Sequence, residues 1–369
     1  MRFLFLEAFH GGSHRDFAQG LAAHSHHDIH VVSLPARFWK WRMRGAALHF
    51  RQTLDNLSGF DGIITSGMMS LADFTALYTG RRPPALVYFH ENQLTYPLAP
   101  GEQMDLQFGF TDITTALCAD RLLFNSQFHR DQFFNTLPGF IGRMPDYKPH
   151  WVGAAIRAKA GVLYPGCHFS DAPSDPPPLP PGPPLVIWNH RWEFDKNPQC
   201  FFDALWRVAR RGIDFRLAIL GENYATAPPV FAEARARLAD RIVQFGYVDR
   251  RSAYIDWLKR GFVAVSCAIQ ENFGIAMVEA MRHGCLPLLP RRLVYPELLP
   301  REFHGQFLYR DPDDLVEKLS AMLQDPVHAA RHRPVLAAMM ARHAWPAVIN
   351  HYDRELKRLA TGTGSDGRF

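Results

Sequence analysis

The stretch DAPSDPPPLPPGPP, Asp171 to Pro184, divides the chain. Its eight prolines fix φ and remove backbone donors, so neither a helix nor an inner strand can run through it, and an inter-domain linker is predicted. Upstream, short apolar runs at Arg2–Leu6, Ile29–Leu34, Gly62–Thr65, Ala85–Phe89, Arg121–Phe124 and Val162–Tyr164 alternate with longer amphipathic stretches. Downstream the pattern restarts at Leu185–Trp188, Phe215–Leu220, Ile242–Phe245, Phe262–Val265, Leu286–Leu289 and Gln306–Tyr309. Buried strands spaced by helical patterns imply parallel βαβ sheets. The expected fold is therefore α/β: two doubly wound Rossmann-like lobes facing a cleft, residues 1–170 and 185–340, joined by the linker 171–184. Toward the end, Asp313–Leu323, Pro326–Arg342 and Ala347–Leu359 read as helices, and Thr361–Phe369 as a frayed tail.

Composition agrees with two such lobes. A chain of 369 residues, 47% hydrophobic and 21% charged, has the apolar material for a large core, which excludes disordered and collagen-like classes. Lys+Arg 41 against Asp+Glu 36 gives +5, a mild leaning toward phosphate-bearing partners. Five scattered cysteines without a CxxC pair offer neither a disulfide framework nor a zinc ribbon. The apolar start Phe3–Leu6 is too short for a signal-peptide core, and no later run approaches ~18 apolar residues. A cytoplasmic protein without a membrane partner is expected.

Doubly wound sheets bind ligands beyond the carboxyl ends of their strands, so the segments that follow predicted strands carry the candidate chemistry. In Glu271-Asn-Phe-Gly-Ile-Ala-Met-Val-Glu279 two acids stand eight apart, with a helix predicted to start near Gly274. A helix start offers free N–H groups and a positive dipole end to a phosphate, while Glu271 and Glu279 can accept hydrogen bonds from sugar and ribose hydroxyls. The plainer reading is a helix with an N-terminal acid and a surface Glu. Asn189–Pro198 follows the first strand of the second half, and Arg191 and Lys196 there can neutralise a diphosphate, although a solvated loop with an Asp–Lys pair has the same letters. Tyr247, after the Ile242–Phe245 run, is a candidate for a base pocket.

In the first half, Gly11-Gly12-Ser13-His14 follows the first strand, and its glycines would let backbone approach a ligand. His90-Glu91-Asn92-Gln93 sets a polar cluster at the end of the fourth. The segment Arg37-Phe38-Trp39-Lys40-Trp41-Arg42-Met43-Arg44 interleaves cations with aromatics: it suits phosphates and an unpaired base, or else an amphipathic helix whose tryptophans pack inward. The histidines of His24–His30 read as a solvated turn, and Asp311-Pro312-Asp313, formally a DxD, as a helix cap.

Taken in order, these segments resemble the GT-B glycosyltransferases, in particular the large retaining family with an E-x7-E motif. The resemblance implies that Glu271 contacts the donor sugar and Glu279 the ribose, that Arg191 and Lys196 hold the diphosphate, and that His90 belongs to the catalytic set. It also places Gly11, Gly12, Phe273 and Gly274 at the donor, implies no catalytic metal, and has a C-terminal helix over 345–360 crossing back to the first lobe. More narrowly, EAFHGGSHRDF, LPARFWKWRMRGAALHF, YFHENQLTYP, FGFTDI, LLFNSQFHRDQF, WNHRWEFDKNP and LVYPELLP, spread from Glu7 to Pro300, are similar to the tRNA-queuosine α-mannosyltransferase family. That likeness implies retaining, metal-independent transfer of mannose from GDP-mannose to the cyclopentenediol of queuosine in the anticodon of an aspartate tRNA. The nucleotide-sugar would bind the C-terminal lobe and the tRNA the N-terminal lobe. His14, Trp39, Lys40, Trp41, Arg42, Arg44, Asn92 and Gln93 are the acceptor candidates. Two alternatives stay open: a GT-B enzyme acting on a lipid or small molecule, and a non-catalytic tRNA-binding protein of the same fold.

Overall fold

Six parallel strands build the first sheet: β1 (Arg2–His10), β2 (Asp28–Pro35), β3 (Gly62–Ser66), β4 (Ala85–Phe89), β5 (Arg121–Phe124) and β6 (Ala160–Val162), in the order β2-β1-β3-β4-β5-β6. The computed structural model describes residues 1–99, 101–169, 175–222 and 227–362. It divides into two units, Met1–His168 with His343–Phe369, and Phe169–Arg342.

Every residue of β3 and β4 is buried, because helices cover both faces of a parallel sheet and leave no solvent side for polar alternation. Leu4 and Leu6 point into one apolar layer with Met43, Ala47 and Phe50 of the helix Trp39–Thr53. Phe3 and Phe5 point into the other, with Phe17, Tyr88, Trp345 and Tyr352. The final helix, Trp345–Thr361, is thus part of the first unit's core. Trp345 is fully buried where Gly20 and Gly166 lack side chains: a Cβ on either would fall 2.0 or 2.2 Å from the indole. The histidine-rich turn is more than solvated loop, since Ser25 Oγ (2.6 Å) and His26 Nδ1 (2.7 Å) bind the Asp353 carboxylate and tie the turn to this helix.

The second sheet is also parallel and six-stranded: β7 (Leu185–Trp188), β8 (Arg216–Ile219), β9 (Ile242–Phe245), β10 (Val263–Val265), β11 (Leu286–Pro290) and β12 (Leu308–Tyr309), in the order β12-β11-β10-β7-β8-β9. In each sheet the strand order reverses once, between β1 and β3 and between β7 and β10. At such a switch point the connecting helices diverge to opposite faces and leave the strand ends open for a ligand.

Several sequence expectations need correction, beginning with β1, which runs to His10 where Arg2–Leu6 was expected. The edge strand β6 ends at Val162, where Val162–Tyr164 was expected. Gln306 and Phe307 finish the helix Arg301–Phe307 and leave only Leu308–Tyr309 as strand. The expected helix Pro326–Arg342 breaks into Pro326–Ala330 and Arg333–Met340, since Pro334 has no N–H to continue the first helix and fits the first turn of a new one. Of the linker, residues 171–174 lie outside the described residues, as do 363–369 of the tail; residues 175–184 carry neither helix nor strand. Among the described residues no helix is long and apolar enough to cross a membrane.

Candidate functional site

At the first switch point a buried acid, Glu7 of β1, starts a chain of charged groups. Its Oε1 accepts from the Phe9 amide (2.8 Å) and Ser66 Oγ (3.0 Å), and its Oε2 from His14 Nδ1 (3.2 Å). The other ring nitrogen of His14 reaches Glu91, just past β4, at 3.2 and 3.4 Å. Burial disfavours a charged His14, but the carboxylates of Glu7 and Glu91 outweigh it and raise its pKa to about 10. The ring is therefore an imidazolium that donates to both acids. The His90 ring lies against it, centroids 4.1 Å apart, and burial, reinforced by His14 and His129, keeps the His90 pKa well below the ordinary value. A charged and a neutral imidazole thus stand side by side.

Behind His90 a second network fixes its loop. Asn125 Nδ2 donates to the His90 carbonyl (2.8 Å) while Asn125 Oδ1 accepts from His129 Nδ1 (2.8 Å). His129, its pKa lowered by burial to about 3, accepts from Asn92 Nδ2 (2.8 Å) on its other nitrogen. Asn92 Oδ1 accepts the amides of Leu94 and Thr95, so this buried side chain, expected at the acceptor, organises the turn. Gln93 anchors the same turn through its amide, which donates to Asp112.

The glycine loop serves packing first. A Cβ on Gly11 would meet the Ala36 Cβ at 2.3 Å, whereas Gly12, with φ +50, opens the helix Gly12–His24 into free space. The aromatic-basic segment separates into inward and outward groups. Trp39 packs on the core with its ring 5.1 Å from Phe108, Arg42 Nε donates to the Pro35 carbonyl, and Arg44 binds Thr111 Oγ1 (3.1 Å). Trp41 is 77% exposed and Phe38, in left-handed backbone, 70%; Lys40 is exposed as well, its ammonium 5.5 Å from the Trp39 ring centre.

At the second switch point, the loop after β7 meets the loop after β10. The Lys196 ammonium is buried between Asp195 Oδ2 (3.1 Å), the Gln270 carbonyl (3.0 Å) and Glu271 Oε2 (3.4 Å). Glu271 Oε1 accepts the Gly274 amide (3.1 Å), and Gly274, at φ +81, caps the helix Ile275–Arg282 with a backbone that glycine adopts without strain. Phe273 is buried beside it. Arg191 pairs with Glu193 Oε2 (3.0 Å) yet stays 48% exposed. Glu279 is no surface residue: Arg251 Nη2 and Tyr254 Oη (3.2 Å) both donate to it, and Tyr254 in turn accepts from Asn189 (3.1 Å). Tyr247 stands 57% exposed beyond β9.

Glu7, His129, Tyr254 and Arg251 were not singled out from sequence, and Glu91 entered only as one of the polar cluster after the fourth strand. For Glu7 the available signal was one acid inside the apolar run RFLFLEAFH. The DxD pair is a helix cap: Asp311 accepts the Asp314 amide and Asp313 pairs with Arg207. Among the described residues, Glu7, His14 and His90 form the one grouping close enough to hold a metal ion, their ligand atoms within 4.8 Å of one another. Both nitrogens of His14 carry protons aimed at carboxylates, which a metal would have to displace.

The second unit, residues 183–325, matches the glycosyl transferases group 1 family. Over the whole chain the fold resembles sucrose-phosphate synthase from Thermosynechococcus elongatus, with TM-score 0.77 and 15% identity, covering 98% of this chain and 100% of that one. The chain is thus a glycosyltransferase of the two-unit α/β GT-B type. Residues 2–167 match the tRNA-queuosine alpha-mannosyltransferase N-terminal family. A tRNA-queuosine alpha-mannosyltransferase of Drosophila melanogaster is 37% identical over 330 residues, 86% of this chain and 85% of that protein. The chain belongs to the tRNA-queuosine α-mannosyltransferase family and is a hexosyltransferase. A GDP-mannose:cellobiosyl-diphosphopolyprenol alpha-mannosyltransferase of Xanthomonas campestris is 26% identical over 186 residues, 48% of this chain and 47% of that protein.

Proposed function

We propose that this enzyme transfers mannose from GDP-mannose to the cyclopentenediol of queuosine in the anticodon of an aspartate tRNA, with retained configuration and without a metal, in the cytoplasm. The observation that carries the reading is the Lys196–Glu271 contact, which joins the cation after β7 to the acid that precedes the helix at Ile275. A cation, a sugar-binding carboxylate and a helix start in one place suit a nucleotide diphosphate sugar. The names of the Drosophila and Xanthomonas relatives support queuosine tRNA as acceptor and GDP-mannose as donor.

In the reaction, the acceptor hydroxyl oxygen forms a bond to the mannose anomeric carbon on the face from which the diphosphate departs. The carbon–oxygen bond to the diphosphate breaks with both electrons, and the hydroxyl proton passes to the leaving diphosphate oxygen. Arg191 and Lys196 stabilise the charge that develops there, so neither a protein base nor a divalent ion is required. Glu271 holds the sugar, Glu279 the ribose and Tyr247 the base. Neutral His90, fixed by the Asn125–His129–Asn92 network, is the first unit's member of the catalytic set and adds no charge to it. Phe38, Lys40 and Trp41 offer an unpaired base and phosphates an aromatic and a cationic face.

The test incubates the purified protein with GDP-mannose and queuosine-containing tRNA, followed by nucleoside mass spectrometry. Queuosine heavier by one hexose is expected. Transfer from a UDP-sugar in preference to GDP-mannose would overturn the donor assignment, and unmodified queuosine would overturn the acceptor.

A further inference from the structure

The chain Glu7–His14–Glu91 ends at the surface. Glu7 and His14 are sealed in the core, and Glu91 has a side chain 22% exposed. Two carboxylates and one imidazolium leave one net negative charge, and Glu91 is the member of the chain that solvent reaches. The buried members hold that end in place: Glu7 is fixed by Phe9 and Ser66, His14 by Glu7, and both oxygens of Glu91 by His14. A carboxylate held in this way by His14, whose ring also lies against neutral His90, matches a small cation that carries hydroxyl groups.

Queuosine joins its cyclopentenediol to the 7-deazaguanine through a secondary amine, which is an ammonium at neutral pH. The amine sits on the ring carbon next to one hydroxyl of the diol. We propose that Glu91 is a specificity-determining residue that binds this ammonium, and that His14 is the positioning residue that aims Glu91 at it. Gripping the amine fixes the neighbouring diol beside His90. The inference rests on the acceptor reading above and deepens it. The amine is also what distinguishes queuosine from an ordinary polyol, so the pair would select the acceptor as well as orient it.

The test uses an anticodon stem–loop RNA with queuosine as its single modification, in three forms: unaltered, N-acetylated to a neutral amide, and N-methylated, which keeps the charge and adds bulk. Wild-type kcat/KM should fall at least about tenfold on acetylation and only about twofold on methylation, the worth of one charge-assisted contact. Glu91→Gln should raise KM for the unaltered RNA about tenfold with a smaller change in kcat, and lose most of the acetylation effect. Its affinity for GDP-mannose should stay unchanged. His14→Gln should lose part of the discrimination, and Glu91→Asp should restore part of it, which a purely structural role would not produce. Wild-type transfer with the same acetylation ratio in Glu91→Gln, or equal losses on acetylation and methylation, would overturn the inference alone. Absence of wild-type transfer to the unaltered RNA would overturn the acceptor reading and this inference with it.

Discussion

The two units use one architecture and present different groups to solvent. Each is a six-stranded parallel sheet with its candidate site residues gathered where the strand order reverses. In the first, the cation His14 is buried between acids, and a carboxylate, Glu91, is the member that meets solvent. In the second, the lysine is held inside by Asp195 and Glu271, and a guanidinium, Arg191, is the more exposed group, paired with Glu193. The layout fixes where a ligand sits, and the charge left facing outward decides which ligand it is. On this reading the second unit takes an anionic nucleotide-sugar and the first a cationic, hydroxylated nucleoside.

The comparison breaks most sharply at Arg191. Arg191→Ala removes charge stabilisation from the diphosphate and should lower kcat by on the order of a hundredfold, about 3 kcal/mol, with no loss of melting temperature because the side chain is half exposed. Steady-state kinetics beside a thermal melt separates the two effects, and a variant of normal kcat would remove Arg191 from the machinery.

The first unit should announce its buried cation through pH. The folded pKa of His14 is about 10, above the 6.5 expected when unfolded, so the unfolded state gives up the proton first as pH rises. Stability from this group is complete below pH 6.5 and is lost as pH climbs through 10. The loss should be on the order of 2 kcal/mol between pH 7 and pH 9. Denaturant titrations at several pH values should show that slope in the wild type and not in His14→Gln. Glu7, Glu91 and His90 face the ring, and His90, its pKa far below this window, stays neutral throughout.

Trp39 and Trp41 sharpen the contrast between core and surface within one helix turn. Trp41→Ala should keep wild-type stability and weaken tRNA binding about tenfold, the scale of one lost base stack. Trp39→Ala should lower the melting temperature, since its ring packs on Phe108. The reverse pattern would remove the segment from the acceptor site. The smallest effect is none: on the proposed mechanism Arg191, Lys196 and the helix start at Ile275 meet the diphosphate charge, so transfer should persist in EDTA. Loss of activity on chelation, restored by Mg²⁺, would redirect attention to Glu7, His14 and His90.

Much of the fold was legible because it follows from local runs. Ala85–Phe89, Arg121–Phe124, Leu185–Trp188 and Ile242–Phe245 are strands with the same limits in sequence and structure, each a mostly apolar run bounded by polar, Pro or Gly residues. The edge strand β6 carries less apolar signal and slipped by two residues. The acids at 271 and 279 were readable from spacing, but their partners were not, since Arg251 and Tyr254 come from a helix 28 and 25 residues away. Trp39 and Trp41 look alike in sequence, and only the helix phase turns one inward. Glu7 stayed hidden for the same reason: a strand acid gains meaning from His14 and Glu91, and the second of these is brought to it by the sheet.

The central claim is that donor and acceptor are held by different units, and a binding matrix tests it most directly. Calorimetry of wild type, Arg191→Ala and Trp41→Ala against GDP-mannose and against queuosine-containing tRNA gives six affinities. Arg191→Ala should weaken GDP-mannose and leave tRNA unchanged, and Trp41→Ala should do the opposite. Folded variants that weaken both ligands equally, or that exchange these effects, would contradict the account.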